Sequence, residues 1–143
     1  MKRIIYTTPQ EAEAAFYEAF EKRDLDAMMN VWADDEEIVC VHPGGARLTG
    51  IEQVRDSWRR IFAAGQRLRF RLRALSAING VPLAVHSVYE QITVEGESRL
   101  PAPVIATNVY MRTGDGWRMV VHHGSAAPAQ AASESKPAPK TLH

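Results

Sequence analysis

The sequence predicts an α+β domain in which three helices from the first half are wrapped by a long, twisted antiparallel sheet from the second, forming a cup. Three observations predict it. Apolar residues recur at three-and-four spacing as far as residue 64, and the period changes to two beyond Gly65. Turn signals then divide the remainder into four long segments. The chain has 143 residues, the length of one domain, and at 45% hydrophobic residues it has enough apolar side chains for a real core.

The first helix opens at Thr8-Pro9-Gln10-Glu11. Threonine caps, proline suits the first turn, and Glu11 reaches back to the cap's N–H. Ala12, Ala15, Phe16, Ala19 and Phe20 form its apolar face, which runs to about Arg23. Asp24 caps a shorter second helix that buries Leu25, Met28, Met29 and Trp32. The acidic run Asp34 to Glu37 stops it. Ile38 to His42 reads as a short strand, ended by the loop Pro43-Gly44-Gly45. A third helix from about Gly50 to Ala64 carries the stripe Ile51, Val54, Trp58, Ile61 and Phe62.

Leu68, Phe70 and Leu72 then alternate with Arg67, Arg69, Arg71 and Arg73, a half-buried strand with an arginine face. Those arginines read as a solvated row bridged to carboxylates across the strand, in preference to an anion site. Turns at Asn79-Gly80, Glu95-Gly96-Glu97 and Gly114-Asp115-Gly116 set strands near 67–78, 83–94, 103–112 and 117–125. Leu75 falls out of step with Leu68, Phe70 and Leu72, which places a bulge there. Residues 1–126 thus form one domain. Residues 127–143, rich in alanine, proline, serine and lysine, are expected to be a disordered tail.

Seventeen basic residues balance seventeen acidic ones, so the basic excess of a dedicated nucleic-acid binder is missing. No apolar run reaches the roughly 18–20 residues of a membrane span, so neither nucleic acid nor membrane is an expected partner. The start turns polar too soon for a signal peptide. With Cys40 as the lone cysteine, a reducing cytoplasm is the expected location. Both faces of the strand 103–112 are apolar or weakly polar: Ile105, Thr107, Val109 and Met111 on one, Val104, Ala106, Asn108 and Tyr110 on the other. The helices cover one face, and a second copy packing sheet to sheet would cover the other, so a homodimer is expected.

The common nucleotide, zinc-protease, dithiol and serine-hydrolase motifs are missing from the chain. Histidine remains, and it is the side chain best suited to move a proton near neutral pH. His42 ends the first strand, His86 lies inside a long one, and His122-His123 close the last. Adjacent strand residues face opposite ways, and His123 shares parity with Trp117, Met119 and Val121, so His123 is expected inside and His122 outside. Each histidine also has a plain reading as a hydrogen-bonded core or surface residue. His42, His86, Glu90 and His123 could meet as metal ligands, but their separations match no chelate spacing, and neither metal nor other cofactor is expected. Phe16, Trp32, Trp58 and Phe62 are core aromatics whose inner ends would line a pocket.

Several separated motifs resemble a known family. Asp24-Leu25-Asp26-Ala27-Met28-Met29 with Trp32-Ala33-Asp34-Asp35 is similar to the second-helix signature of the nuclear transport factor 2-like superfamily. Val41-His42-Pro43, Leu48-Thr49-Gly50 with Trp58, and Gly116-Trp117-Arg118-Met119-Val120 through His122-His123 to Ser125 resemble its SnoaL-like, ketosteroid isomerase-like branch. The resemblance covers about residues 8–126. It implies a cone of curved, mixed but mainly antiparallel sheet around three helices, the cystatin-like cup, with a deep apolar pocket and a dimeric state.

The resemblance also allows one activity to be compared residue by residue. Steroid isomerases of this superfamily use a carboxylate base, a tyrosine and a neutral aspartic acid. Those positions fall here on His42, on Phe16 (with Tyr17 one residue off the stripe) and near Thr107, so ketosteroid isomerase activity as such is not expected. A base at the same place survives. The expected function is binding of a small cyclic or carbonyl-bearing molecule, with His42 as base in an isomerase-, cyclase- or dehydratase-type reaction. His123, Thr107 and Ser125 would hold the oxyanion, and Phe16, Trp32, Trp58 and Val109 would form the wall. The alternative is a non-catalytic ligand-binding or association module on the same fold.

Overall fold

The computed structural model describes residues 3–98 and 101–128, so the predicted tail lies outside the described residues from position 129 onward. Three helices, α1 (Pro9–Lys22), α2 (Leu25–Val31) and α3 (Gly50–Ala63), pack inside an open six-stranded sheet. The strands are β1 (Val39–Val41), β2 (Arg47–Thr49), β3 (Leu68–Asn79), β4 (Leu83–Val94), β5 (Val104–Thr113) and β6 (Gly116–Ala126). Their order is β2-β1-β6-β5-β4-β3, antiparallel throughout except for the parallel pair β1–β6. The long strands therefore match expectation, while the three-residue β2 falls in a stretch that carries too little apolar alternation to read as a strand. No helix among the described residues is long and apolar enough to cross a membrane.

Thr8 caps α1 by accepting from Glu11 N. Glu11 reaches back one residue further than expected, to the N–H and hydroxyl of Thr7. Asp24 caps α2 through Ala27 N. The turn into β4 passes Gly80, where a Cβ would meet Leu83 O at 2.7 Å, so glycine is required. Gly116 starts β6 at φ 87° directly beneath the Tyr6 carbonyl, closing the N-terminal segment onto the sheet.

Two bulges set which side chains face the helices. The first is at Leu75, as its sequence phase predicts: Ala74 pairs with Val88 and Ser76 with Ser87. The second is at Val120, because Tyr110 pairs with Met119 and Val109 with Val121. The core beneath the sheet contains Phe16, Met28, Val31, Trp32, Ile38, Val54, Trp58, Tyr110 and Met119, all fully buried. The arginine row of β3 is solvated, but its cross-strand neighbours are Thr93, Gln91 and Tyr89 rather than carboxylates. Arg73 stacks over the Tyr89 ring, and Arg67 approaches Glu95 at 4.0 Å.

Candidate functional site

Sheet register assembles the site. Ala77, His86, Asn108, His122 and Cys40 stand side by side across β3, β4, β5, β6 and β1, all on the face that meets the helices. Glu13 and Tyr17, one turn apart on α1, reach down onto this row. Tyr17 donates to Glu90 Oε2 at 2.5 Å and accepts from Asn108 Nδ2 at 3.0 Å. Asn108 Oδ1 lies 2.6 Å from His122 Nδ1. Beside this chain Glu13 Oε2 accepts from the Tyr110 hydroxyl at 3.1 Å and pairs with His86 Nδ1 at 2.9 Å.

With Glu90 ionised and accepting from Tyr17, the donor order along the chain follows. With Asn108 Nδ2 directed at Tyr17, Oδ1 faces His122, and an amide oxygen only accepts, so the proton is on His122 Nδ1. Nε2 then carries a lone pair, and it makes no hydrogen bond to a described residue. Burial holds His122 down to about 3, helped by the nearby His42 and His123, so its ring is neutral at physiological pH. Glu90 moves the other way. Burial raises its carboxyl to about 7, with Glu13 adding to the rise and the Tyr17 hydroxyl opposing it. Tyr17 and Tyr110 are both raised far above the usual phenol range, mainly by burial, and remain protonated.

His42 lies two residues beyond Cys40 on the same face, half-buried, with its ring 6.5 Å from that of His122. Its Nε2 is 3.1 Å from Ser57 Oγ, whose own hydroxyl donates to Val54 O. Ser57 therefore accepts, His42 carries its proton on Nε2, and Nδ1 is the basic nitrogen. Desolvation lowers His42 below its ordinary value, so it is neutral and able to take a proton. Trp58 stands edge-on to His42 at 4.8 Å, and Phe16 lies 4.9 Å from His122 and 5.6 Å from Trp58. The indole N–H of Trp58 is buried without a hydrogen-bond partner among the described residues.

The structure thus brings His42, Phe16 and Trp58 together and separates them from the rest of the expected set. Trp32 is fully buried at a bridge to Met119, with no ring contact to this cluster. His123 is not inside. The extra residue at Val120 reverses the parity of β6, so His122 takes the interior position and His123 is exposed. Thr107, Val109 and Ser125 share the outer face with His123: Thr107 pairs with His123, Val109 with Val121, and Ile105 with Ser125. None of the four can line the cone. The conceivable metal set does not converge either, since His86 is bound to Glu13, Glu90 to Tyr17, and His123 faces outward.

Sequence spacing does not group Tyr17, Glu90, Asn108 and His122. The signal they carry is a carboxylate and an amide set in apolar strands at inward parity, which residue types alone do not connect to a tyrosine just off the helix stripe. A separate surface groove of about 620 Å³ opens at the end of the sheet where β6 begins, between Gln10, Asn79 and Arg112. None of the expected site residues lines it.

An open curved sheet enclosing helices, with a polar row inside, defines the nuclear transport factor 2-like α+β cone. Within that class, residues 10–130 match the SnoaL-like domain family, and the chain belongs to it. Among solved structures it is 42% identical to a candidate calcium/calmodulin-dependent protein kinase type II association domain from Thiobacillus denitrificans, with a TM-score of 0.83, covering 88% of this chain and all of that one. It is 34% identical to a candidate dehydratase of the NTF2-like family from Streptomyces avermitilis, with a TM-score of 0.74, covering 82% of this chain and 92% of that one. It is also 26% identical over 110 residues to the F-box protein SKIP8 of Arabidopsis thaliana, covering 77% of this chain and only 46% of that longer protein.

Proposed function

We propose that the protein binds a small cyclic or carbonyl-bearing molecule at the mouth of the cone and acts on it as a cofactor-free acid–base enzyme of the isomerase, cyclase or dehydratase type. His42 is the base. The carrying observation is its setting: a neutral, half-buried imidazole whose Nε2 is held by Ser57, leaving Nδ1 basic beside Trp58. A base of this kind removes a proton next to a carbonyl, and the Trp58 N–H, without a partner among the described residues, is a donor for the developing negative charge. Phe16 and Trp58, both fully buried, back the imidazole with apolar rings. The similarity to the candidate dehydratase from Streptomyces avermitilis supports this reading. Cytoplasmic residence belongs to it as well, because the lone Cys40 is buried and unpaired, its thiol pushed up to about 12 by burial.

The test is a thermal-shift screen against cyclic ketones, polyketide-like aromatics and organic acids, using wild type and His42→Ala. A ligand at 100 times its Kd stabilises by about 2.7 kcal/mol, which is a readable shift. The expected result is a stabilising compound whose effect His42→Ala weakens and whose turnover it abolishes. Binding and turnover that ignore the substitution would remove His42 from the site.

A second reading, association of copies through the outer sheet face, is favoured by one observation. Ile78, Val85, Val109 and Val121 form an apolar row across β3 to β6 on that face, and Ile78 is 68% exposed in the single chain. The similarity to the candidate association domain from Thiobacillus denitrificans points the same way. The two readings are compatible, because they use opposite faces of one sheet.

A further inference from the structure

We propose that Glu90, acting through Tyr17 and Asn108, decides which ring nitrogen of His122 carries the proton, and so whether the innermost imidazole of the cone accepts or donates a hydrogen bond to a ligand. Glu90, Tyr17 and Asn108 are in this sense specificity-determining positioning residues. This deepens the ligand-binding reading and rests on it for its use, while the relay itself is a property of the free protein.

The argument is one of donor bookkeeping along a single file. With Glu90 ionised, its carboxylate accepts from Tyr17, Tyr17 accepts from Asn108 Nδ2, and Asn108 Oδ1 accepts from His122 Nδ1. His122 Nε2 is then an acceptor, matched to a ligand hydroxyl or enol. Placing a proton on Glu90 gives it a donor whose hydrogen-bond neighbour among the described residues is the Tyr17 oxygen. Tyr17 must turn its own hydrogen toward Asn108. The Asn108 amide rotates to present oxygen to Tyr17 and nitrogen to His122, and Nδ1 becomes the acceptor. The His122 proton leaves Nδ1 for solvent and another arrives at Nε2. The net change is one proton gained, on Glu90. His122 Nε2 is now a donor, matched to a carbonyl oxygen.

The surroundings favour coupling over independent behaviour. Tyr17 is 4% exposed, Glu90 3%, Asn108 0% and His122 2%, so water competes poorly for any link. The titratable groups facing Glu90 are Tyr17 and Glu13 from α1 and Tyr110 from β5; β3 contributes the apolar Leu72 opposite it. Beside His122 are Cys40, its pairing partner on β1, and His42 two residues further on; its chain neighbour His123 acts on it from the outer face. The carboxyl titrates near pH 7, while the imidazole stays neutral throughout that range, so the response at His122 is a change of tautomer and not of charge.

The test is nitrogen-15 NMR of the histidine rings of the full chain, whose shifts distinguish a protonated from a bare ring nitrogen. The expected result is His122 protonated on Nδ1 at pH ~8 and on Nε2 at pH ~6, either side of the Glu90 titration. Tyr17→Phe, which removes the linking hydroxyl with little change of shape, should make the tautomer independent of pH. Asn108→Ala should do the same should the phenylalanine variant not fold. One tautomer at both pH values in wild type overturns the relay, as does a pH-driven change that survives both substitutions. Failure of the ligand screen with a pH-dependent tautomer would leave the relay standing, and ligand binding with a fixed tautomer would remove the relay alone.

Discussion

Glu90 is a residue whose ionisation couples stability to pH near neutrality. In the unfolded chain it ionises near its ordinary 4.5, and in the folded chain near 7, because burial penalises the charge more than Tyr17 relieves it. Between those values the folded protein holds a proton that the unfolded chain lacks, so this contribution falls as pH rises and stays low above 7. The difference is on the order of 3 kcal/mol. His122 has the opposite sign: it is depressed from 6.5 to about 3, so its contribution is complete above 6.5 and is lost as pH falls toward 3. Glu90→Gln is neutral at every pH. Urea denaturation should therefore show it gaining on wild type between pH 4 and pH 8, by that order. A gap that does not change with pH would mean that Glu90 ionises no differently in the folded chain.

At the scale of elements, the sequence was most legible where a period ran unbroken. The caps Thr8 and Asp24, the stripe of α3 and the alternation of β3 each follow from local spacing, and all three helices formed where those signals stand. Even the Leu75 bulge was visible, because an apolar residue fell out of phase. The bulge at Val120 was not. Met119, Val120 and Val121 are all apolar, so the pattern is equally good with or without a skipped residue, and the choice rests on pairing with β5 and β1. From that one position follow the exchange of His122 for His123 and the loss of Ser125 from the interior. Deleting Val120 should accordingly be mild. It leaves Met119 opposite Tyr110, Val121 opposite Val109 and His122 opposite Asn108 in a regular ladder. The expected variant folds and retains the histidine-ring NMR signature of His122; exposure of His122 in its place would show that the bulge is required to hold the register.

At the scale of the molecule, the sheet has one face committed to the helices and one that carries its own apolar row. Val109 is central to that row, flanked by Val85 and Val121. Val109→Arg would place a charge where a second copy must close on the sheet without altering the buried side. Sedimentation should find wild type dimeric and this variant monomeric, with the His42 site unchanged in ligand response. A monomeric wild type would end the association reading and leave the cone to work alone. Composition of the strand faces predicts a dimer, and the register identifies which residues form the row.

The sheet is open, and β3 forms one of its margins, twelve residues long, with no strand among the described residues paired on its outer side and only the Phe70 N–H taken up there, by Glu21 Oε2 at 2.6 Å. Such a margin is a template on which another chain can extend. Here Arg69, Arg71 and Arg73 stand on alternate residues along it, so two molecules meeting margin to margin would bring like charges together before any backbone bond formed. The barrier is electrostatic and therefore conditional. It is strongest in dilute salt and is screened over about 10 Å at 0.1 M. The colloidal behaviour of the folded protein is thus tied to ionic strength through one strand, and concentrated brine removes the protection that its arginines provide.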